Sequence, residues 1–235
     1  MQKHINMENE SKNLVVDLLK SKSILKQEVY TNTKKWFKLF KDEINNCVEI
    51  ISKDLGDAKE KIRLKVVDKS DTEIQLYIGS DVLVFQMHTN VFKIAPNNYV
   101  HQSSYIKTNP NNAYCGIINV YNFLADSYEY NRFNDLGYLL ARIFINREDH
   151  FFVEGKGQLE FLYKDFLNQI INQDVIRDII LKISAYAIDF DLLTPPYEKV
   201  NVVTVQETQA ITNDSQLKTG KRLGFKFKSD SDFVG

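Results

Sequence analysis

Glu154 and Lys156, inside the stretch HFFVEGKGQL at 150–159, form the one pair whose residue types and spacing point to chemistry. Side chains two apart on a strand share a face, so a Glu-x-Lys step after the apolar run HFFV presents a carboxylate and an ammonium side by side. A carboxylate beside an ammonium can hold a divalent cation such as Mg2+ and polarise a bound water. Asp135, at the mouth of the preceding apolar run, is the candidate second carboxylate. Mg2+ is implied on this reading alone; otherwise the sequence implies no cofactor. A competing reading makes the same residues the exit from a sheet, because no Pro-Asp precedes them and Gly155 weakens a central strand.

Other chemistry-bearing residues are scattered. His4, His88, His101 and His150 have no Cys, Asp or His at helical metal-ligand spacing, so no metal site is assigned; His88 and His101 are candidate binding residues if the chain brings them together. Cys47 and Cys115 lack CxxC-type neighbours and read as buried free thiols. GKG at 155–157 and TGKRLG at 219–224 lack the spacing of a phosphate-binding loop. The C-terminal LKTGKRLGFKFK sets Lys221, Arg222 and Lys226 among Phe225 and Phe227. Such an alternating basic and aromatic run can contact nucleic-acid phosphates and bases, add to a partner's sheet edge, or guard an edge of its own sheet. YNFLADSYEYNRFND at 121–135 is rich in aromatics and suits a contact surface.

The positions of these residues depend on the elements that carry them. Leu14, Val15, Leu18 and Leu19 suggest a helix from Lys12 to about Leu25. A stronger stripe follows: Val29, Thr33, Trp36, Phe37, Phe40, Ile44, Cys47, Val48, Ile51 and Leu55, ending at Gly56. This helix either covers the sheet or pairs with a second copy. Alternation at Ile62, Leu64, Val66 and again at Ile74, Leu76, Ile78, around the turn KSDT, predicts a hairpin, and 82–88 a third strand. Residues 89–113 read as a long loop with room for one short helix or strand, and as a pocket cover. Strands are expected over 114–125, 137–146 and 150–155, then a closing helical stripe from Leu159 to Ile170 that continues past the NQD break at 172–174 to Ala187, and a last strand over 200–205.

Composition sets the outer bounds. The chain has 235 residues, 43% hydrophobic, with few Gly and Pro, enough for one substantial core. A net charge of −1 gives no global field for nucleic acid or anionic membrane. The N-terminus lacks an apolar leader and no run approaches the ~18 residues that span a bilayer, so a cytoplasmic location without membrane attachment is expected.

The Glu154-x-Lys156 step resembles the half-site of PD-(D/E)xK nucleases, which implies catalytic roles for Glu154, Lys156 and Asp135. GIINVYNFLADSYEYNRFNDLGYLLARIFINREDHFFVEGKGQLEFLYKDFL resembles the second half of a GAF-type sensor domain, with a strand opening at Gly137, a REDHFF step and a closing helix from Gln158. Residues 28–190 would then be covered, and the resemblance implies a GAF/PAS-like architecture, not an activity. The chain is therefore expected to be α+β: an antiparallel sheet of about six strands flanked by a long N-terminal helix and C-terminal helices. Its divisions are a frayed helical segment over 1–27, a core over 28–193 and an extended segment over 194–235. The expected role is a non-enzymatic binding or regulatory module for a small ligand or a protein partner, as a homo-oligomer or an accessory subunit. The Mg2+-dependent nuclease is the alternative.

Overall fold

The computed structural model describes residues 2–190, 194 and 196–206. Its N-terminal helix runs as α1 (Gln2–Leu18), a π-helical turn (Leu19–Ser23) and α2 (Ile24–Leu55). The two helices read separately in the sequence are thus one rod. From Leu25 onward the stripe Val29, Thr33, Trp36, Phe37, Phe40, Ile44 and Cys47 is buried, so α2 covers the sheet. Gly56 ends it with φ 53, a conformation that favours glycine.

The sheet is antiparallel throughout: β1 (Leu64–Ser70), β2 (Glu73–Ile78), β3 (Asp81–Met87), β5 (Tyr114–Leu124), β6 (Tyr138–Ile145) and β7 (Phe151–Gly155) lie side by side in that order. The two-residue β4 (Phe92–Lys93) pairs β5 off this path. The fold is α+β, as the periodicities imply. Ile74, Leu76, Leu83, Phe85, Met87, Ile118, Val120, Ile143 and Val153 line the inner face under α2 and α6 (Gln173–Ile188). β5 approaches α2 so closely that a Cβ on Gly116 would meet Thr33 Oγ1 at 2.1 Å.

One buried carboxylate ties the two helices together. The Glu43 side chain is fully buried and accepts from Gln173 Nε2 (2.5 Å), Asn46 Nδ2 (2.9 Å) and Arg177 Nε (3.0 Å). Burial alone would push its carboxyl up; these donors and the Arg177 charge reverse that and hold it below the ordinary carboxylate range. At the other end of α2, Asp149, at φ 65 in the turn before β7, accepts from Asn32 Nδ2 (2.8 Å) and Trp36 Nε1 (2.5 Å).

Three expectations need correction. The 89–113 segment is not an irregular loop: it contains β4, a 3-10 turn (Tyr99–Gln102), α3 (Ser104–Thr108) and a second 3-10 turn (Pro110–Ala113). Ile94, Val100, Ile106 and Ala113 pack with Ile117, Phe144, Phe152 and Phe166 as a second core, so it is a fixed cap on the outer sheet face. The closing helix is broken: only α5 (Leu159–Leu162) and α6 are helical around a non-helical 163–172. That stretch serves the edge of β7 instead. Tyr163 O accepts from Val153 N (2.8 Å), Gln169 O accepts from Phe151 N (3.2 Å), and His150 bridges to Ile170. Tertiary hydrogen bonding outcompetes the helical period there. The expected strand at 200–205 is absent: α7 (Tyr197–Val200) begins the run, 202–204 have no regular structure, and helical backbone starts at 205.

The other sheet edge is open. β1 pairs only with β2 among the described residues, and Lys65, Asp68, Lys69 and Ser70 on it are exposed. Lys41 Nζ donates to Ser70 O and to Asp68 Oδ1, each at 2.5 Å, closing one end. Charged edges of this kind discourage a further strand.

Candidate functional site

Outward side chains on neighbouring strands stack into rows, and the register shows which residues share one. Glu73 lies opposite Gln86, Gln86 opposite Asn119, Asn119 opposite Arg142, and Arg142 opposite Glu154. Ser70 on β1 faces Glu73 and extends the row to the sixth strand. A polar row therefore crosses the whole outer face, roughly 24 Å at the usual strand spacing. Ser70, Gln86 and Arg142 are exposed, and Glu73, Asn119 and Glu154 are half-buried.

This row lies between two built-up flanks. On one side the next row, Ile117, Phe144 and Phe152, is covered by the 89–113 cap, whose Tyr99 stands edge-on to Phe152 at 6.1 Å. Asn98 Nδ2 reaches Glu154 Oε1 at 3.4 Å, and burial, then Glu154, pushes the Tyr99 phenol up to about 12. On the other side come Tyr121 and Leu139, opposite each other across a bulge, and then the short α4 (Ala125–Glu129) and the connection to β6. Tyr128 stands edge-on to Phe123 at 5.5 Å, and its phenol is raised by burial, then by Glu73 and Tyr77. Beyond it Phe133 is 90% exposed and Leu136 62% exposed. The resulting strip is open, amide-rich and bordered by aromatics.

The residues singled out from sequence fall in different places. Glu154 does lie on an outward face, but Arg142 engages it from β6, with Nε at 2.9 Å from Oε2 and a second close Nη2 contact. Lys156 lies past the end of β7 and is exposed, its backbone N–H bonded to Leu140 O. Asp135 precedes β6 and is held by Arg132 Nε (2.9 Å) and Ser127 Oγ (2.7 Å). Arg142, which faces Glu154, lies four steps along β6 from Tyr138, roughly 13 Å of strand, so Asp135 and Glu154 do not share a site. Among the described residues no three His, Cys, Asp or Glu side chains gather as a metal cluster.

Nor do His88 and His101 converge on one ligand. His88 Nδ1 accepts from Asn90 N (2.9 Å) and its ring meets Phe92 edge-on at 4.6 Å, on the covered border of the strip. His101 Nε2 bonds Ile94 O at 3.1 Å within the cap. Cys47 and Cys115 are buried free thiols, both raised by burial. Phe225, Phe227, Lys221, Arg222 and Lys226 lie outside the described residues. Two open depressions of about 490 and 680 Å3, beside 23–30 with 89–91 and beside 157–158 with 182–189, are both away from the strip. No helix of the described residues is long and apolar enough to cross a membrane.

Sequence reasoning missed Gln86, Asn119 and Arg142. Alternation could have placed each on an outward face, but only the register joins them into a row. Comparison with protein-family models, with curated proteins and with solved structures gives no match. The likeness to GAF-type domains thus rests on the order of elements alone.

Proposed function

We propose that the chain is a non-enzymatic binding module whose outer sheet strip, from Glu73 across Gln86, Asn119 and Arg142 to Glu154, receives a protein partner. One observation carries this reading: the polar row crosses six strands in register between two packed flanks and is left uncovered by the other described residues. Arginine and the bordering tyrosines are residue types enriched at protein contacts. The carboxylates of the row are engaged by Arg142 and Gln75, which favours recognition over acid–base chemistry. A small ligand under the 89–113 cap is less favoured, because buried Ile94, Val100, Ile106, Phe144, Phe152 and Phe166 fill that space.

The test is quantitative binding of a partner captured from the native host. Gln86→Arg combined with Leu139→Glu changes two exposed side chains on the strip. The double variant should weaken the partner by more than about tenfold while leaving the melting temperature unchanged. Unchanged affinity in a folded double variant would overturn the reading.

A further inference from the structure

The N-terminal part of the rod is built like one half of an interface. Every residue from 9 to 24 is exposed except the half-buried Val16. Yet Leu14, Val15, Leu18 and Leu19 sit one turn apart on one side, 60%, 55%, 41% and 54% exposed. The stripe buried against the sheet starts at Leu25 and Val29, and the π turn Leu19–Ser23 stands between the two. A π turn holds more residues than an α turn, so it swings the outer stripe around the axis, out of line with the body's stripe. A projecting helix whose apolar stripe packs on none of the other described residues is marginal in water, since most helical stability comes from packing that stripe.

The occupant is written in the stripe's own symmetry. Laid antiparallel to itself about a two-fold axis between Val16 and Asp17, the helix sets Leu14 against Leu19 of the second copy and Val15 against Leu18. Charge selects the same arrangement. Residues 8–17 carry three carboxylates (Glu8, Glu10, Asp17) and one lysine (Lys12), while 18–26 carry three lysines (Lys20, Lys22, Lys26) and no acid. Antiparallel pairing lays the acidic half of each helix along the basic half of the other; parallel pairing lays lysines on lysines and carboxylates on carboxylates. Antiparallel pairing also keeps the two folded bodies, which begin at Leu25, at opposite ends.

We propose that residues 9–24 of two copies pair antiparallel through Leu14, Val15, Leu18 and Leu19 to form a two-fold homodimer. An overlap of roughly 24 Å of helix lies at the small end of stable interfaces, so association is concentration-dependent. The dimer surface is separate from the sheet strip, and either can stand without the other.

Sedimentation equilibrium of the full chain should show a monomer–dimer equilibrium. Leu14→Glu with Leu18→Glu should abolish the dimer while leaving the melting of the body unchanged, since neither side chain is buried in the single chain. Lys22→Glu should weaken dimerisation, and adding Glu10→Lys should restore it. For orientation, Leu14→Cys chains mixed with Leu19→Cys chains should cross-link on oxidation, and Leu14→Cys alone should not. The native thiols are buried and do not interfere. A monomer at every concentration, a dimer indifferent to the glutamates, or self-cross-linking of Leu14→Cys would each overturn the proposal.

Discussion

Replacing Glu43 with Gln keeps the shape of the side chain and removes its charge, which makes it a sharp probe of how α2 holds α6. The wild-type carboxylate is fully buried and receives donors from Gln173, Asn46 and Arg177 at 2.5 to 3.0 Å. An amide must turn its NH2 toward one of these donors, losing that bond and opposing two donors. Hydrogen bonds to a charged group contribute about 1.5–3 kcal/mol each. The Arg177 side chain is 37% exposed and so partly screened, which places the net loss at about 2 kcal/mol. For a chain of this size that is a fall of about 4–8 °C in Tm. Urea titration at neutral pH measures the free energy directly, and a change within about 0.5 kcal/mol would refute the reasoning. The pH dependence gives an independent check. The folded pKa of Glu43 lies below the ordinary 4.5, so its contribution is full above that value and drains away as pH falls through the lower folded pKa. The gap between wild type and variant should therefore close in acid; a gap that widens there would contradict the assignment.

Two further predictions follow from close contacts. Gly116→Ala would put a Cβ 2.1 Å from Thr33 Oγ1 and 2.7 Å from Thr33 Cβ, against a side chain already buried and bonded to Val29 O. α2 must shift, at a cost of about 1–3 kcal/mol read in urea unfolding, and a neutral Gly116→Ala would mean that helix and sheet are less tightly apposed than described. Because Arg142 already neutralises Glu154, added Mg2+ should leave the melting temperature of wild type and of Glu154→Gln the same. A Mg2+-dependent rise lost in Glu154→Gln would restore the metal-site reading.

Much of the fold was legible because it is written in short-range periodicity. The hairpin of β1 and β2, the strands β3, β5, β6 and β7, and the buried stripe of α2 all show the period of their element. What was not legible depends on distant partners. The stripe Leu159, Leu162, Tyr163, Phe166 suggests a helix, yet Tyr163 joins the inner core and Phe166 the outer one, which a single helical face could not do. The 89–113 cap has no period of its own; it takes its form from the apolar row it covers. At the candidate site the sequence points to Glu154 but not to Arg142, because cross-strand register is set between residues twelve apart in the chain. The aromatic run at 121–135 suits a contact surface from its composition, and its Phe133 is 90% exposed.

The two edges of the sheet constrain how recognition on its face can evolve. On β7 the outward N–H groups of Phe151 and Val153 are occupied by the 163–171 stretch, and β1 carries lysines and a capped end. A partner docking on the face therefore reads side chains and not the main chain. Main-chain pairing is nearly indifferent to sequence, whereas a row of six side chains can be rewritten one codon at a time with the strands left untouched. If the outer face receives a partner as proposed, specificity and stability are housed in different residues, and partner choice can change there while the buried side beneath α2 stays under a separate, slower constraint.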